Sequence, residues 1–193
     1  QLFRKYSGVS PFDKPEEWDR WRGLSIDTLV YRLSEAARKA RPGCRVSVAA
    51  IQDYERARRD LFQDVVKWQS NGWIDEVFPM TYHQDDDAFT FHSRSALAKG
   101  PKGKVLPGIG VHLHESAGEM ARQIELARKL GASGYALFAF ANFFPSPSHE
   151  SRGDPASKRL RSELRARLKE LNGVPPAAQI KPSRTVSANV PRS

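Results

Sequence analysis

Apolar residues along this chain fall into two alternating patterns. Four short runs are almost continuously apolar: Cys44–Ile51, Trp73–Tyr82, Val105–Val111 and Gly134–Ala141. Between them apolar positions recur at helical spacing. Ile26, Val30, Leu33 and Ala37 predict a helix that opens at Pro15, carries Glu16, Glu17 and Asp19 in its first turns and ends at Pro42-Gly43. Leu61, Val65 and Trp68 predict a second helix from about Glu55 to Ser70, stopped by Asn71-Gly72, and a shorter one follows around Ala88–Ala98. Ser116 and Glu119 form a capping box ahead of Met120, Ile124, Ala127 and Leu130, with Gly131 as the stop. Asp154-Pro155 opens the last helix, striped by Leu160, Leu164, Leu168 and Leu171. Residues 1–14 read as loop or a frayed helix end. Beyond Asn172-Gly173 periodicity stops, which predicts a domain over 1–172 and a disordered tail over 173–193.

Near-continuous apolar strands fit a parallel sheet covered by helices, and strand–helix alternation gives an α/β protein. Gly43, Gly72, Gly103 and Gly131 precede the four runs, so the unit recurs about every 30 residues, the length of one strand and crossover helix in a (β/α)8 barrel. Four such units predict half of a TIM-type barrel. A doubly wound sheet stays open as an alternative, but no Gly-rich phosphate loop follows any strand. Gly108-Ile109-Gly110 lies inside one.

Composition adds little to this picture. The 193 residues are 39% hydrophobic and 27% charged, ordinary for one globular domain. A single cysteine, Cys44, excludes an internal disulfide and a cysteine-based zinc site, and opens an apolar strand as a small packed residue. No apolar stretch nears the roughly 20 residues of a membrane span. The chain does not begin with Met and lacks the apolar core of a signal peptide, so it reads as a mature product or a piece of a longer chain of unassigned compartment. The net charge of +9 comes from basic residues dispersed over helices and interrupted by acids, which predicts solvated faces and no nucleic-acid partner.

In a barrel the active site lies at the C-terminal ends of the strands. Those ends deliver Gln52, Asp53 and Tyr54. Next come Met80, Thr81, Tyr82, His83 and the run Asp85–Asp87, then His112, His114 and Glu115, and finally Phe140, Asn142, Phe143 and Phe144. Aromatics stack on sugar faces while amides and carboxylates bond hydroxyls, so this rim suits a carbohydrate. Asp53 and one of Asp85–Asp87 equally fit helix N-caps. His112, His114 and Glu115 invite a metal reading, but His83, His92 and His149 are scattered, so neither a metal nor another cofactor is predicted. Asp75 and Glu76 open their strand, at the opposite end from the rim. Tyr82, behind Pro79-Met80-Thr81, is the strongest single candidate.

Trp18-x-x-Trp21-Arg22, Arg41-Pro42-Gly43, Val46-Ser47-Val48, Trp73-Ile74-Asp75, Pro79-Met80-Thr81-Tyr82, VLPGIG and GYALFAF occur in that order over roughly residues 1–145. Together they resemble the glycosyl-hydrolase-like family 10 proteins. The resemblance implies a glycosidase (β/α)8 barrel, with some members linked to bacterial cell-wall glycans, and hence an exported parent. It further implies that this chain starts after the fourth strand, so that the acidic motif ending that strand belongs to a preceding segment. On that footing Tyr82, Met80, His112 and Asn142 are expected to contact sugar, and Asp53 and Glu115 are candidate helper carboxylates. Two open sheet edges would let two copies pair as a homodimer.

Overall fold

A computed structural model describes residues 2–100, 104–144 and 155–173. Gly103, His149, Asp154 and the tail from 174 onward, all used above, lie outside the described residues. Helix α1 (Leu2–Ser7) precedes the long α2 (Pro15–Ala40), and four strand-then-helix units follow. Strand β1 (Ser47–Ala50) leads to α3 (Tyr54–Leu61) and α4 (Val65–Ser70). Strand β2 (Glu76–Pro79) leads to α5 (Asp86–Lys99), β3 (Gly108–Gly110) to α6 (Ala117–Lys129), and β4 (Ala136–Phe138) to α7 (Pro155–Leu171). Every predicted apolar run therefore contains a strand.

The strands form two parallel pairs. Val48 lies opposite Val77 in β1–β2, and Gly110 opposite Phe138 in β3–β4. One parallel bridge, Val77 to Val105, joins the pairs, with Val77 N–H donating to the Lys104 carbonyl and Leu106 N–H to that of Val77. Among the described residues nothing pairs with the outer edges of β1 and β4.

Alternation along each strand sends one set of side chains under the helices. Ala50, Val77 and Val105 meet Trp68, Val65, Ile74 and Ala96 in one buried cluster. Ile109 and Val111 meet Phe89, Met120, Ile124, Ala127 and Leu164 in a second. Burying a side chain of this size contributes about 1.5–3 kcal/mol. The leucine stripe of α7 supplies Leu164 to the second cluster, with Leu160, Leu168 and Leu171 packed at its margin. Among the described residues no helix is long and apolar enough to cross a membrane.

Local chemistry explains most element ends. Pro15 occupies the first turn of α2, and Gly43, Gly72 and Gly131 take φ of +80°, +69° and +82°, a region that side-chain-bearing residues avoid. Three predictions need correcting. The helix expected over Glu55–Ser70 is two helices, because Phe62 turns left-handed at φ 58° and Asp64 caps a new start by accepting from Lys67 N–H. Leu61 stands at that break and is exposed rather than packed with Val65 and Trp68. In α2 the buried line runs through Asp27 and Ser34, and Leu33 is 59% exposed. Ile26 and Val30 pack against the first cluster as expected, but Asp27 accepts from Trp68 Nε1 at 2.6 Å and Lys67 Nζ at 2.5 Å, so a charged seam joins α2 to α4 beside them. Finally, Ser116 caps Glu119 N–H as expected, but Glu119 reaches back to Glu115 N–H instead of Ser116.

The N-terminal ends of the strands are closed by polar contacts. Asp75 accepts from Val46 N–H at 2.7 Å and from Arg38 at 3.1 Å, and Arg38 also donates to the Gly72 carbonyl and Ser34. The Val46 N–H, then the Arg38 guanidinium, hold the Asp75 carboxyl below its usual range. Many other basic residues pair on their own helices, among them Arg56 with Asp60 and Arg58 with Glu55, as solvated faces should.

Candidate functional site

The opposite ends of the strands carry the predicted rim. Its centre depends on two glycines. A Cβ on Gly108 would come within 2.8 Å of the Pro79 carbonyl oxygen and 3.0 Å of the Tyr82 ring, and one on Gly110 within 3.0 Å of Tyr82 Cβ and 3.3 Å of the His112 ring. Their hydrogen faces let the Tyr82 ring lie across β3. It then reaches β4, where it stacks on Phe138 with centroids 5.2 Å apart and planes at 22°. His112, in the 3-10 turn Val111–Leu113, meets Tyr82 edge-on at 6.0 Å and Phe138 at 5.7 Å. Thr81, fully buried, anchors this corner by donating to the Gly108 carbonyl at 2.7 Å.

Tyr82, His112 and Phe138 thus form one aromatic cluster from three consecutive strand exits. Tyr82 is half-buried, and burial pushes its phenol above the ordinary range, so it stays a hydrogen-bonding hydroxyl. Phe138 is 51% exposed and offers an open ring face. Phe138 is absent from the predicted rim residues; its signal was register, since it lies opposite Gly110. The peptide after it, to Ala139, is cis.

The other predicted residues divide. Met80 is half-buried at the β2 exit, its N–H bonded to the Ala50 carbonyl. Asn142 donates its side-chain amide to the Ala139 carbonyl at 3.1 Å, within its own turn. Phe140, Phe143 and Phe144 turn away, lining a 730 Å³ cavity with Arg165 and Leu168 beside α7.

The carboxylates serve mostly as caps. Asp53 accepts from the N–H groups of Glu55 and Arg56 at the start of α3, and the Arg56 bond leads in holding its pKa low. Asp85 caps α5 through Ala88 N–H at 2.7 Å, and Asp86 takes Arg122 Nε at 3.0 Å. Glu115 is exposed, and its carboxylate makes no bond among the described residues.

The two histidines expected on one face diverge. His112 stands at the surface, while His114 points inward and is 6% exposed. His114 Nε2 lies 3.2 Å from Gln123 Oε1, and Gln123 Nε2 donates to the His83 carbonyl at 2.8 Å. Burial lowers the His114 pKa, so the 3.6 Å approach of its Nδ1 to Glu119 is not an ion pair near neutrality. His83 Nε2 is 3.0 Å from Gln52 Oε1, and its ring stacks on His92 at 4.9 Å. Burial first, and His92 second, lower the His83 pKa. Among the described residues no three His, Cys, Asp or Glu side chains converge as metal ligands.

A family model described as Glycosyl hydrolase-like 10 matches residues 1–133. That span includes Tyr82, His112, His114 and Gln123 and stops before Phe138. Comparison with curated proteins and with solved structures finds no match.

Proposed function

The chain belongs to the glycosyl hydrolase-like 10 family, and from that membership we propose that its rim is the sugar-binding side of a glycosidase acting on a polysaccharide or cell-wall glycan. The observation that carries this reading is the Tyr82–Phe138–His112 cluster at the C-terminal ends of parallel strands. The open face of Phe138 receives the apolar face of a sugar ring, and the Tyr82 hydroxyl and His112 Nε2 bond its hydroxyls, His112 Nδ1 facing the Phe138 carbonyl at 3.5 Å. Four successive strand-then-helix units support placing this surface in one half of a (β/α)8 barrel.

Glycoside hydrolysis ordinarily uses two carboxyl groups, about 5–5.5 Å apart for retention and about 6.5–9.5 Å for inversion. Glu115 is the helper carboxylate we favour, because its oxygens make no bond among the described residues. Asp53 is the poorer candidate, since two backbone N–H groups hold it ionised and in place. The second carboxylate then comes from the complementary half of the barrel.

The capping of Asp53 and Asp85 favours one competing reading, a noncatalytic glycan-binding surface. Titration with soluble chito-oligosaccharides and other glycan fragments, followed by product analysis, separates the two. We expect binding by the wild type and weaker binding by Tyr82→Ala and His112→Ala. Equal affinity in all three proteins would remove this cluster from the function. Cleaved product would remove the noncatalytic reading.

A further inference from the structure

Gln123 is a polar side chain in an apolar place. It lies on the face of α6 that buries Met120, Ile124 and Ala127, with 0% exposure. Burying an amide is costly unless both ends are bonded, and here both are. The geometry also fixes the orientation of every group. The His83 carbonyl can only accept, so the Gln123 amino group faces it. Oε1 therefore faces His114 Nε2, which must carry the ring proton. Consistently, His114 Nδ1, left bare in that tautomer, is buried without a hydrogen-bond partner among the described residues.

The two bonds end on the backbone that follows Tyr82 and on the side chain two residues beyond His112. At its far end the line continues from His83 Nε2 to Gln52 at the β1 exit. One buried side chain thus ties the β2 and β3 exits to the same helix. We infer that Gln123 is the positioning residue of the rim, holding Tyr82 and His112 in mutual register through His83 and His114. It rests on the glycan-binding reading above only for its consequence, not for its geometry. Sub-ångström placement of contact groups is what such a supporting shell supplies, and loosening it by about 1 Å costs up to about 100-fold in rate.

The test compares wild type with Gln123→Met, which keeps the volume and removes both bonds, and Gln123→Glu, which keeps the acceptor for His114 and loses the donor to His83. Side-chain nitrogen NMR of the wild type should show His114 protonated at Nε2. In Gln123→Met that tautomer signature should be lost, and the Tyr82 and His112 ring signals should shift while the Ile109 and Met120 methyl signals stay in place. Gln123→Glu should keep the His114 tautomer yet still move Tyr82. Should Gln123→Met fail to fold, Gln123→Glu carries the test alone. Unmoved Tyr82 and His112 rings in a folded variant would overturn the inference, as would His114 protonated at Nδ1 in the wild type. Titration with chito-oligosaccharide adds a separate arm: we expect at least about tenfold weaker binding in Gln123→Met. No sugar binding by the wild type, with the ring shifts present, would sink the glycan reading and leave the positioning role standing.

Discussion

The two ends of the same strands use similar residues for opposite purposes. At the N-terminal ends Asp75, Arg38, Val46 and Gly72 satisfy one another, and little is left over for a ligand. At the C-terminal ends Asp53 and Asp85 are likewise consumed as caps, but Tyr82, His112, Phe138 and Glu115 keep open faces or free polar atoms. Both ends contain carboxylates and aromatic neighbours, Trp73 against Tyr31 at 5.7 Å at the N-terminal end, so residue type does not separate them. What separates them is whether the partners come from the chain itself. A parallel fold sorts its polar groups this way because all helices begin at one end of the sheet and stop at the other.

Four outcomes would break or sharpen that comparison. The largest should come from Gly108→Val, which pushes a side chain into the Pro79 carbonyl and the Tyr82 ring. Overpacking of this kind costs about 3 kcal/mol, and urea unfolding should report it together with weakened sugar binding. A loss below about 0.5 kcal/mol would mean the Tyr82 ring does not depend on that gap.

Asp75→Ala should come next. It strips a charged acceptor from Val46 N–H and Arg38, for a loss of about 2 kcal/mol with glycan affinity unchanged. Affinity falling in step with stability would erase the distinction between the ends.

The third outcome is pH dependence, which should differ between the ends. His114 and His83 have folded pKa values below 6.5, so the unfolded chain binds protons first. Their contribution is complete above about pH 6.5 and is lost as pH falls below it. The Asp75 contribution is complete above 3.8 and is lost only as pH drops through its lower folded value. Unfolding midpoints followed from pH 8 to 3 should therefore decline in two stages, with His114→Gln flattening the first.

The smallest change in stability belongs to His112→Ala, within about 0.5 kcal/mol. Its sugar affinity should nevertheless fall about tenfold, the worth of a contact of ~1.4 kcal/mol. A variant that loses stability but keeps affinity would reassign His112 to the frame.

Elements whose signals are local were legible in the sequence. Pro15, Ser116, Asp53, Asp85 and the turn glycines act within three or four residues of themselves, so helix starts and stops could be read directly. The break at Phe62–Asp64 could not, because it is supported from a distance by Ile51 N–H donating to Gln63 Oε1. Leu33 misled for the same reason: the buried line of α2 runs through Asp27, whose partner Trp68 is forty-one positions away. At the rim, the placement of Tyr82 and His112 at strand ends was legible, and the structure brings their rings together. Phe138 required the β3–β4 register. Gln123 had a usable signal, a lone amide at an apolar position of a helix.

The glycines beneath Tyr82 also constrain how this protein can diverge. Two of the three residues of β3 are packed too closely for a side chain: Gly108 against the Pro79 carbonyl and the Tyr82 ring, Gly110 against Tyr82 Cβ, Leu113 and the His112 ring. Neither glycine can drift by itself: the Pro79 carbonyl oxygen and Tyr82 Cβ stay in place whatever ring position 82 carries. Among relatives, positions 108 and 110 should therefore stay glycine, and a Gly110→Ala lesion should not be rescued by shrinking the Tyr82 ring.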